Sequence, residues 1–260
     1  MKILVSLICL LFVAYDGNAQ KMNWNKNSVI AHRGAWKKNS LPENSIAALK
    51  EAVRLKCFGS EFDVHMTKDQ VIVVNHDHTY KGMAIAEVTY EELAKQPLSN
   101  GEKLPTLAAY LKEGMTQKGT KLILEIKDAP TPEASIVLTN AVVKMVKDLK
   151  ADAWVEYISF SYPVVKRILE LDPTALTAFL ASPKGEVSLE KLKADGIAQA
   201  DYYYSIFKQG DWFNKARELN ITINAWTVNK QEDMQWLIRE KANYITTNEP
   251  ELLFDLLKAK

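Results

Sequence analysis

The sequence predicts an α/β fold, a TIM (β/α)₈ barrel, on the basis of two observations. Short apolar segments alternate with amphipathic segments along the chain, and this alternation is typical of a parallel sheet covered by helices. Eight such apolar segments lie within 260 residues, and eight strands close a barrel of this kind. A doubly wound open sheet is the alternative fold that the same alternation leaves open.

The predicted elements follow in order from the first strand. We expect strands at residues 29–33, 59–66, 122–127, 154–160, 175–181, 198–204, 221–227 and 244–246. Helical patterns lie at residues 42–56, 132–149, 163–171, 189–194, 211–219, 230–239 and 249–257. Pro132 and Pro163 each begin one of these helices, which suits a first turn because the missing N–H costs no hydrogen bond there.

One further apolar segment, residues 71–76, follows the second strand too closely to be its parallel neighbour, because a parallel crossover needs about a dozen residues. We therefore expect a β-hairpin extension after strand 2. A two-residue loop at Lys68-Asp69 would set His76 directly opposite Glu61 and on the same face, whereas a longer loop would shift this register. The long region 78–106 is expected to form a small insertion at the C-terminal rim, where barrel loops carry function.

Residues 1–19 are predicted to be a signal peptide. Lys2 precedes an apolar run from Ile3 to Ala14, and small residues end at Ala19; the run is shorter than the roughly 20 apolar residues that span a bilayer. Residues 20–260 then form a single exported domain, which in a bacterium with two membranes is periplasmic. Cys9 allows a lipoprotein as the alternative, although it follows a bulky residue rather than small ones.

Charge and cysteine content exclude several classes of partner and of stabilisation. The formal net charge is +1 and there is no basic run, so we expect no nucleic acid partner and no stable membrane insertion. Without the signal peptide Cys57 is the only cysteine, which excludes an internal disulfide. The oligomeric state has no signature in the sequence.

Three carboxylates are placed together by the predicted strands. Glu61 and Asp63 point to one face because strand side chains alternate, and Glu125 with Lys127 alternate in the same way on the next strand of the barrel. Carboxylates are seldom buried together without a cationic partner or a metal. An all-oxygen set suits a hard divalent cation, and we therefore predict one Mg²⁺ or Ca²⁺ at Glu61, Asp63 and Glu125.

Two histidines are expected beside these acids. His32 ends the first strand, which neighbours the second in a barrel, and His76 ends the hairpin. His65 and His78 are interpreted as non-catalytic. Glu43 and Asn44 open the first predicted helix and are interpreted as capping residues, with orientation of Arg33 as the alternative.

A set of short motifs occurs in order along the chain: His32-Arg33-Gly34, Pro42-Glu43-Asn44-Ser45, Glu61 with Asp63, Lys68-Asp69, His76-Asp77, Glu125 with Lys127, Trp226-Thr227-Val228-Asn229 and Ile245 to Pro250. Together these motifs resemble the signature set of the glycerophosphodiester phosphodiesterase family. The resemblance implies a TIM barrel, a divalent metal on Glu61, Asp63 and Glu125, and His32 and His76 as acid and base. It also implies that a small-molecule glycerophosphodiester is hydrolysed to glycerol 3-phosphate and an alcohol.

The mechanism we predict assigns the remaining site residues. His32 is favoured as base and His76 as acid, since an imidazole with a pKa of about 6.5 serves either role. Arg33 and Lys127 would stabilise the negative charge on the phosphate, and Trp226 would pack on the glycerol backbone unless it is a core aromatic.

The sequence departs from the family pattern at a few positions. Asn248 stands where the family shows Asp, Ala242 where it shows Gly, and Thr79-Tyr80 where an arginine and threonine pair is expected. These departures bear on substrate preference rather than on the reaction.

Three other functions remain open on the sequence alone. A phospholipase of related barrel architecture would cleave phosphoinositides or sphingomyelin, and a non-catalytic barrel would only bind phosphate esters. A glycosidase would also use paired carboxylates, but its activity would survive removal of metal.

Overall fold

The computed structural model describes residues 22–259, so the predicted signal peptide lies outside the described residues. The barrel and its extensions are built from strands β1 Val29–Ala31, β2 Gly59–Met66, β3 Ile72–Val74, β4 Thr79–Tyr80, β5 Met83–Ala84, β6 Lys121–Ile126, β7 Val155–Ser159, β8 Thr177–Ala181, β9 Gln199–Tyr203, β10 Thr222–Trp226 and β11 Tyr244–Thr247. Within the described chain, the parallel strands run in the order β1-β11-β10-β9-β8-β7-β6-β2, and β1 pairs with β2 to close the ring. The predicted TIM barrel is confirmed, and the open sheet is excluded.

The helices cover the outside of the barrel. They are α1 Ile46–Arg54, α2 Tyr90–Ala94, α3 Leu107–Gly114, α4 Pro132–Asp148, α5 Tyr162–Leu171, α6 Leu189–Ala194, α7 Trp212–Leu219, α8 Gln231–Glu240 and α9 Pro250–Lys258. Helix α3 had not been predicted, although Thr106 caps it by accepting the N–H of Ala109. It supplies the crossover between β2 and β6 that a parallel pair requires.

Two kinds of apolar layer hold the barrel together. Leucine, valine and isoleucine side chains on the outer face of the strands pack against the helices, as Leu122 and Leu124 do with Val142. A smaller core fills the lower interior, where Ile30, Ile123 and Leu180 meet. The upper interior is left to polar side chains, and the functional residues lie there.

The hairpin after β2 is present, but its register differs from the prediction. Val64 pairs with Val74 and Met66 with Ile72, which leaves a loop of three residues between Thr67 and Val71. The backbone N–H of Gln70 donates to Thr67 O at 3.0 Å, and Gln70 has a φ of +63°, as in a turn followed by a left-handed residue. The predicted pairing of His76 with Glu61 is therefore wrong by one position.

The insertion between the hairpin and α3 is a small folded unit rather than a plain loop. It contains β4, β5, a short 3₁₀ helix at Ile85–Glu87 and helix α2. Thr89 and Glu92 cap α2 reciprocally, and the buried side chains of Ile85, Leu93 and Leu104 pack against Val73 of the hairpin. This unit fixes the strand that leads into His76.

Candidate active site

The three predicted carboxylates meet at the C-terminal end of the barrel. Asp63 and Glu125 pair in register across β2 and β6, and Glu61 lies one pleat below Asp63 on the same face. One oxygen from each of Glu61, Asp63 and Glu125 lies within 4.8 Å of the others. The three residues are 3%, 1% and 7% exposed, respectively, so the cluster is desolvated.

Cationic and N–H groups partly compensate this buried negative charge. Lys127 Nζ lies 2.8 Å from Asp63 Oδ1 and 2.7 Å from Glu125 Oε1. The backbone N–H of Arg33 donates to Glu61 Oε2 at 2.7 Å, and its Nε lies 3.9 Å from Asp63 Oδ2. Arg33 and Lys127 thus contact the acids directly in this structure.

The acids differ in their pKa values. Burial, followed by the charge of Asp63, raises the pKa of Glu61 well above its ordinary value; the same causes raise the pKa of Glu125 to about 8. Burial would also raise the pKa of Asp63, but the nearby Lys127 and His76 outweigh it and lower the value to about 2. The cluster therefore retains a proton near neutral pH, which a bound cation would displace.

The residues present fit a divalent cation. Among residues 22–259, Glu61 Oε1 is buried without a hydrogen-bond partner, and Lys127 approaches Asp63 and Glu125 but not this atom. A buried carboxylate oxygen without a partner is costly. An ion held by one oxygen from each acid would remove that cost, and the donor set is the all-oxygen one that Mg²⁺ and Ca²⁺ take.

His32 lies beside the cluster in a defined tautomer. Its Nδ1 is 2.7 Å from the side-chain oxygen of Asn248, so Nδ1 carries the proton and Nε2 keeps its lone pair. Nε2 lies 4.0 Å from Glu61 Oε2. Burial, then the neighbouring charge of Arg33, lowers the pKa of His32 to about 4, and the imidazole is therefore neutral at pH 7.

His76 reaches the site from the hairpin, although not through strand pairing. It follows the end of β3 by two residues, and its Nδ1 lies 2.7 Å from Asp77 Oδ1. His65, buried to 5% exposure, has its Nε2 3.1 Å from the backbone oxygen of His76. His65 thus positions the chain at His76, a role that sequence reasoning missed.

In the segment before α1, Glu43 and Asn44 support the active-site side chains, and Ser45 caps the helix. Ser45 is the N-cap, since its Oγ accepts the N–H of Ala48 at 3.0 Å. Glu43 forms an ion pair with Arg33 at 2.6 Å, so the alternative interpretation was correct for it. Asn44 Nδ2 donates to Asp63 Oδ2 at 2.9 Å, and its Oδ1 accepts the N–H of Asp63 at 3.2 Å; the capping interpretation was wrong for both residues.

Two cavities adjoin the cluster. The inner one, about 140 Å³, is lined by His32 and Trp226 among others, and the outer one, about 530 Å³, opens at the rim beside Asp77 and Asp128. The residues lining both cavities are His76, Glu125, Lys127 and Phe160. Trp226 meets the ring of Phe160 edge-on at 5.3 Å, so the predicted substrate residue does line the inner cavity.

This arrangement can be compared with known proteins. A family model described as the glycerophosphoryl diester phosphodiesterase family matches residues 32–252. The chain belongs to this family. It is therefore an enzyme of the phosphodiesterase class, as predicted, and the matched segment contains every site residue described above.

Individual relatives of this phosphodiesterase agree with the family assignment. A glycerophosphodiester phosphodiesterase of Caldanaerobacter subterraneus subsp. tengcongensis is 28% identical over 246 residues, 90% of this chain and 98% of the relative. A crystal structure of a glycerophosphodiester phosphodiesterase from Parabacteroides distasonis is 39% identical, with a TM-score of 0.86 over 91% of this chain and 99% of that one.

A more distant structure shares the fold of this phosphodiesterase. The Oleispira antarctica phosphodiesterase, in complex with the product sn-glycerol-3-phosphate, is 20% identical with a TM-score of 0.76, and the match covers 89% of this chain and 97% of that one. Among residues 22–259, the helices are all too short or too polar to span a membrane.

Proposed function

We propose that this phosphodiesterase hydrolyses glycerophosphodiesters to glycerol 3-phosphate and an alcohol, using one divalent cation and the pair His32 and His76. The supporting observation is the convergence of three buried carboxylates with two imidazoles and two cationic side chains at the junction of two cavities. The reacting phosphate would lie at this junction, with one substituent directed into each cavity.

Glu61, Asp63 and Glu125 would hold the cation, which is Mg²⁺ or Ca²⁺. When bound, such an ion stabilises negative charge on the non-bridging oxygens of a phosphodiester. Lys127 faces both cavities and Arg33 lines the inner one, so their cationic groups would share that task as charge grows in the transition state. Glu43 keeps Arg33 in place through its 2.6 Å ion pair.

His32 would act as the base. Its unprotonated Nε2 takes the proton of the glycerol 2-hydroxyl while that oxygen attacks phosphorus and forms a cyclic phosphodiester. His76 gives a proton to the alkoxide oxygen as its bond to phosphorus breaks, and the alcohol leaves. Water then opens the cyclic diester with the two histidines in reversed roles, which restores both protonation states and releases glycerol 3-phosphate.

Release of glycerol 3-phosphate from a panel of glycerophosphodiesters tests this proposal. The panel carries choline, ethanolamine, inositol and glycerol as the alcohol, and each assay is run with Mg²⁺, with Ca²⁺ and with a chelator. We expect release that stops with chelator and returns when the cation is restored. Cleavage of phospholipid vesicles but of none of the soluble diesters would instead support the phospholipase alternative, and activity unaffected by chelator would contradict the metal assignment.

We also propose that the chain is exported to the periplasm after cleavage of residues 1–19. The support is the short apolar run behind Lys2 and the small residues before Gln20. Mass spectrometry of the protein in a periplasmic extract should find an N-terminus at Gln20. A chain that keeps Met1 and stays with the cytoplasmic fraction would contradict export.

A further inference from the structure

Asp201 is a buried carboxyl group in the inner cavity for which the proposed reaction has no use. It lies at the middle of β9, is 2% exposed, and lines the cavity opposite the catalytic groups. The apolar side chains of Ile158 and Leu180 line the same space. A lone carboxyl among such neighbours is costly unless something pairs with it.

The protein supplies a partner to only part of this carboxyl group. Among residues 22–259, Asp201 Oδ1 is buried without a hydrogen-bond partner, and the side-chain amide of Asn224 is the one neighbouring group that favours the ionised carboxylate. Asn224 is itself fixed by Thr246 Oγ1 at 2.8 Å. Burial raises the pKa of Asp201 to about 7, because the neighbouring groups stabilise the ionised carboxylate only weakly.

Another interior acid shows what a purely structural carboxyl group looks like in this barrel. Glu156 is 6% exposed and lies below the cavity. Its Oε2 accepts a hydrogen bond from Gln199 at 3.0 Å, and its Oε1 lies 3.7 Å from Lys121 Nζ. Both oxygens of Glu156 thus have a polar neighbour, whereas Asp201 Oδ1 has no hydrogen-bond partner in the described part of the chain.

The sizes of the two cavities indicate which part of the substrate meets Asp201. The inner cavity measures about 140 Å³, room for a handful of water-sized groups at roughly 30 Å³ each, and side chains of the barrel strands line it. The outer cavity, about 530 Å³, is open at the rim and suits an alcohol of variable size. Glycerol, the small invariant part, therefore belongs in the inner cavity.

We propose that Asp201 binds the terminal hydroxyl of the glycerol moiety and thereby makes the enzyme selective for glycerol over shorter or deoxygenated alcohols. This inference rests on the proposed function. Trp226 assists, because its Nε1 donates to the backbone oxygen of Asp201 at 2.8 Å and fixes the indole as an apolar wall beside the carboxyl group. A site built around an unpaired polar group rejects an analogue that cannot pair with it.

The test compares two substrates that differ by one oxygen. One is glycerophosphocholine, and the other is its analogue without the terminal hydroxyl, 2-hydroxypropyl phosphocholine, which keeps the attacking hydroxyl. We expect the unaltered enzyme to prefer glycerophosphocholine in kcat/KM by about 10- to 100-fold, the range for a hydrogen bond to a charged group. Asp201→Ala should reduce this preference to within a few-fold of one, mainly through loss on glycerophosphocholine.

Two further variants separate recognition from folding. Asp201→Asn keeps the shape and an acceptor oxygen, and it should retain part of the preference. Gln199→Ala is the matched control, since Gln199 precedes Asp201 by one pleat on the same strand and bonds to Glu156 instead; it should keep the full preference. An Asp201→Ala enzyme that discriminates as strongly as the unaltered one overturns the inference.

Calorimetry can test the role of Asp201 without turnover, by measuring the affinity of the protein for the reaction product. Glycerol 3-phosphate should bind about 10- to 100-fold more tightly than 2-hydroxypropyl phosphate, and Asp201→Ala should abolish the difference. If the unaltered protein cleaves neither diester yet binds the two phosphates with this difference, the proposed function fails and the role of Asp201 stands. Equal binding of both phosphates overturns the role of Asp201 even where glycerophosphocholine is cleaved.

Discussion

His32 and His76 differ in environment in a way that suits opposite roles. His32 is held by Asn248 at 2.7 Å and its pKa is lowered to about 4 by burial and Arg33, so it is unprotonated and ready to accept a proton. The side chain of His76 is 36% exposed, and its Nδ1 lies 2.7 Å from the carboxylate of Asp77, which orients the ring where the two cavities meet. The asymmetry supports His32 as base and His76 as acid.

Replacing either histidine should affect turnover far more than metal binding. We expect His32→Ala and His76→Ala each to lower kcat by about 10²–10⁴-fold, the usual contribution of a positioned acid or base, while the affinity for Mg²⁺ or Ca²⁺ changes little. Steady-state kinetics and calorimetry measure the two quantities. His78→Ala is the control and should remain within a few-fold of the unaltered kcat; an unchanged rate in His76→Ala would exclude it as the acid.

Asn44 is expected to set the affinity for metal. Its side chain forms two hydrogen bonds with Asp63, and its φ of +59° is one that asparagine tolerates better than alanine does. Asn44→Gly removes the side chain without backbone strain, so we expect it to weaken cation binding by about 10- to 100-fold, as loss of a group that orients a ligand does. Calorimetric titration of Mg²⁺ or Ca²⁺ into each variant measures this affinity.

A second asparagine provides the matched control for this substitution. Asn220 ends α7 with a φ of +54°, far from the acids in the sequence and on the outside of the barrel. Asn220→Gly should leave the cation affinity unchanged. If Asn44→Gly binds the cation as well as Asn220→Gly does, Asn44 does not orient Asp63 for the metal.

At the scale of elements, the strands were predictable and the connections were less so. Every predicted barrel strand has its counterpart within a residue or two at each end, because a strand buried on both faces is a short, nearly continuous apolar run that contrasts with the amphipathic helices around it. The register of the hairpin was not predictable, because Gln70 takes the left-handed conformation without being the glycine or asparagine that announces it. Helix α3 was not predicted because it follows the long insertion at residues 78–106 rather than a barrel strand, so the alternation of strand and helix does not point to it.

Glycine substitutions at Gln70 and at Lys68, two positions of the hairpin loop, should change the free energy of unfolding in opposite directions. Gln70 has a φ of +63°, a conformation that costs an L-residue roughly 1 kcal/mol and glycine nothing. We expect Gln70→Gly to increase the free energy of unfolding by about 0.5–1 kcal/mol, and Gln70→Val to decrease it by about 1–2 kcal/mol. Urea denaturation of the metal-free protein measures both changes.

Lys68, in the same loop, is the control for these loop variants. It is not among the described residues with positive φ, so glycine there only adds conformational freedom to the unfolded chain. Lys68→Gly should therefore decrease the free energy of unfolding by about 0.5–1 kcal/mol. Stabilisation by both glycine substitutions would show that the loop conformation differs from this turn.

For the molecule as a whole, the sequence predicted which charged groups lie together and missed the side chains that hold them in position. The convergence of Glu61, Asp63 and Glu125 was predictable from strand parity. Asp201 also lies on a predicted strand, but the sequence does not single it out, because it differs from other buried acids only in the hydrogen bonding of its carboxyl group. Only coordinates show that Asp201 Oδ1 is buried and has no hydrogen-bond partner within residues 22–259. The supporting roles of Asn44 and His65 likewise depend on distances across the barrel.

The stability of the metal-free barrel should depend on pH through the buried carboxyl group of Glu125. Burial and Asp63 raise the pKa of Glu125 from 4.5 to about 8. A raised carboxyl pKa contributes stability that is complete below the unfolded value and is lost as pH rises through the folded one. Metal-free protein should therefore lose roughly 1–3 kcal/mol of stability between pH 5 and pH 8 through this group. Asp63, with its pKa lowered to about 2, stays ionised and contributes no change in this window.

Added Mg²⁺ or Ca²⁺ should reverse this loss, because the cation binds the folded state and displaces the retained proton. The affinity for the cation should rise by up to about tenfold per pH unit from pH 6 to pH 8 if one proton is displaced. The increase in Tm caused by a fixed cation concentration should therefore be larger at higher pH. Thermal unfolding with cation or chelator at pH 5.5, 6.5, 7.5 and 8 measures the effect. Glu125→Gln should lose most of the cation-induced increase, whereas Glu156→Gln, which removes a buried acid paired with Lys121 below the site, should keep it. A cation-induced increase of equal size at every pH, or one that survives in Glu125→Gln, would show that the carboxylates at the mouth of the barrel are not the metal site.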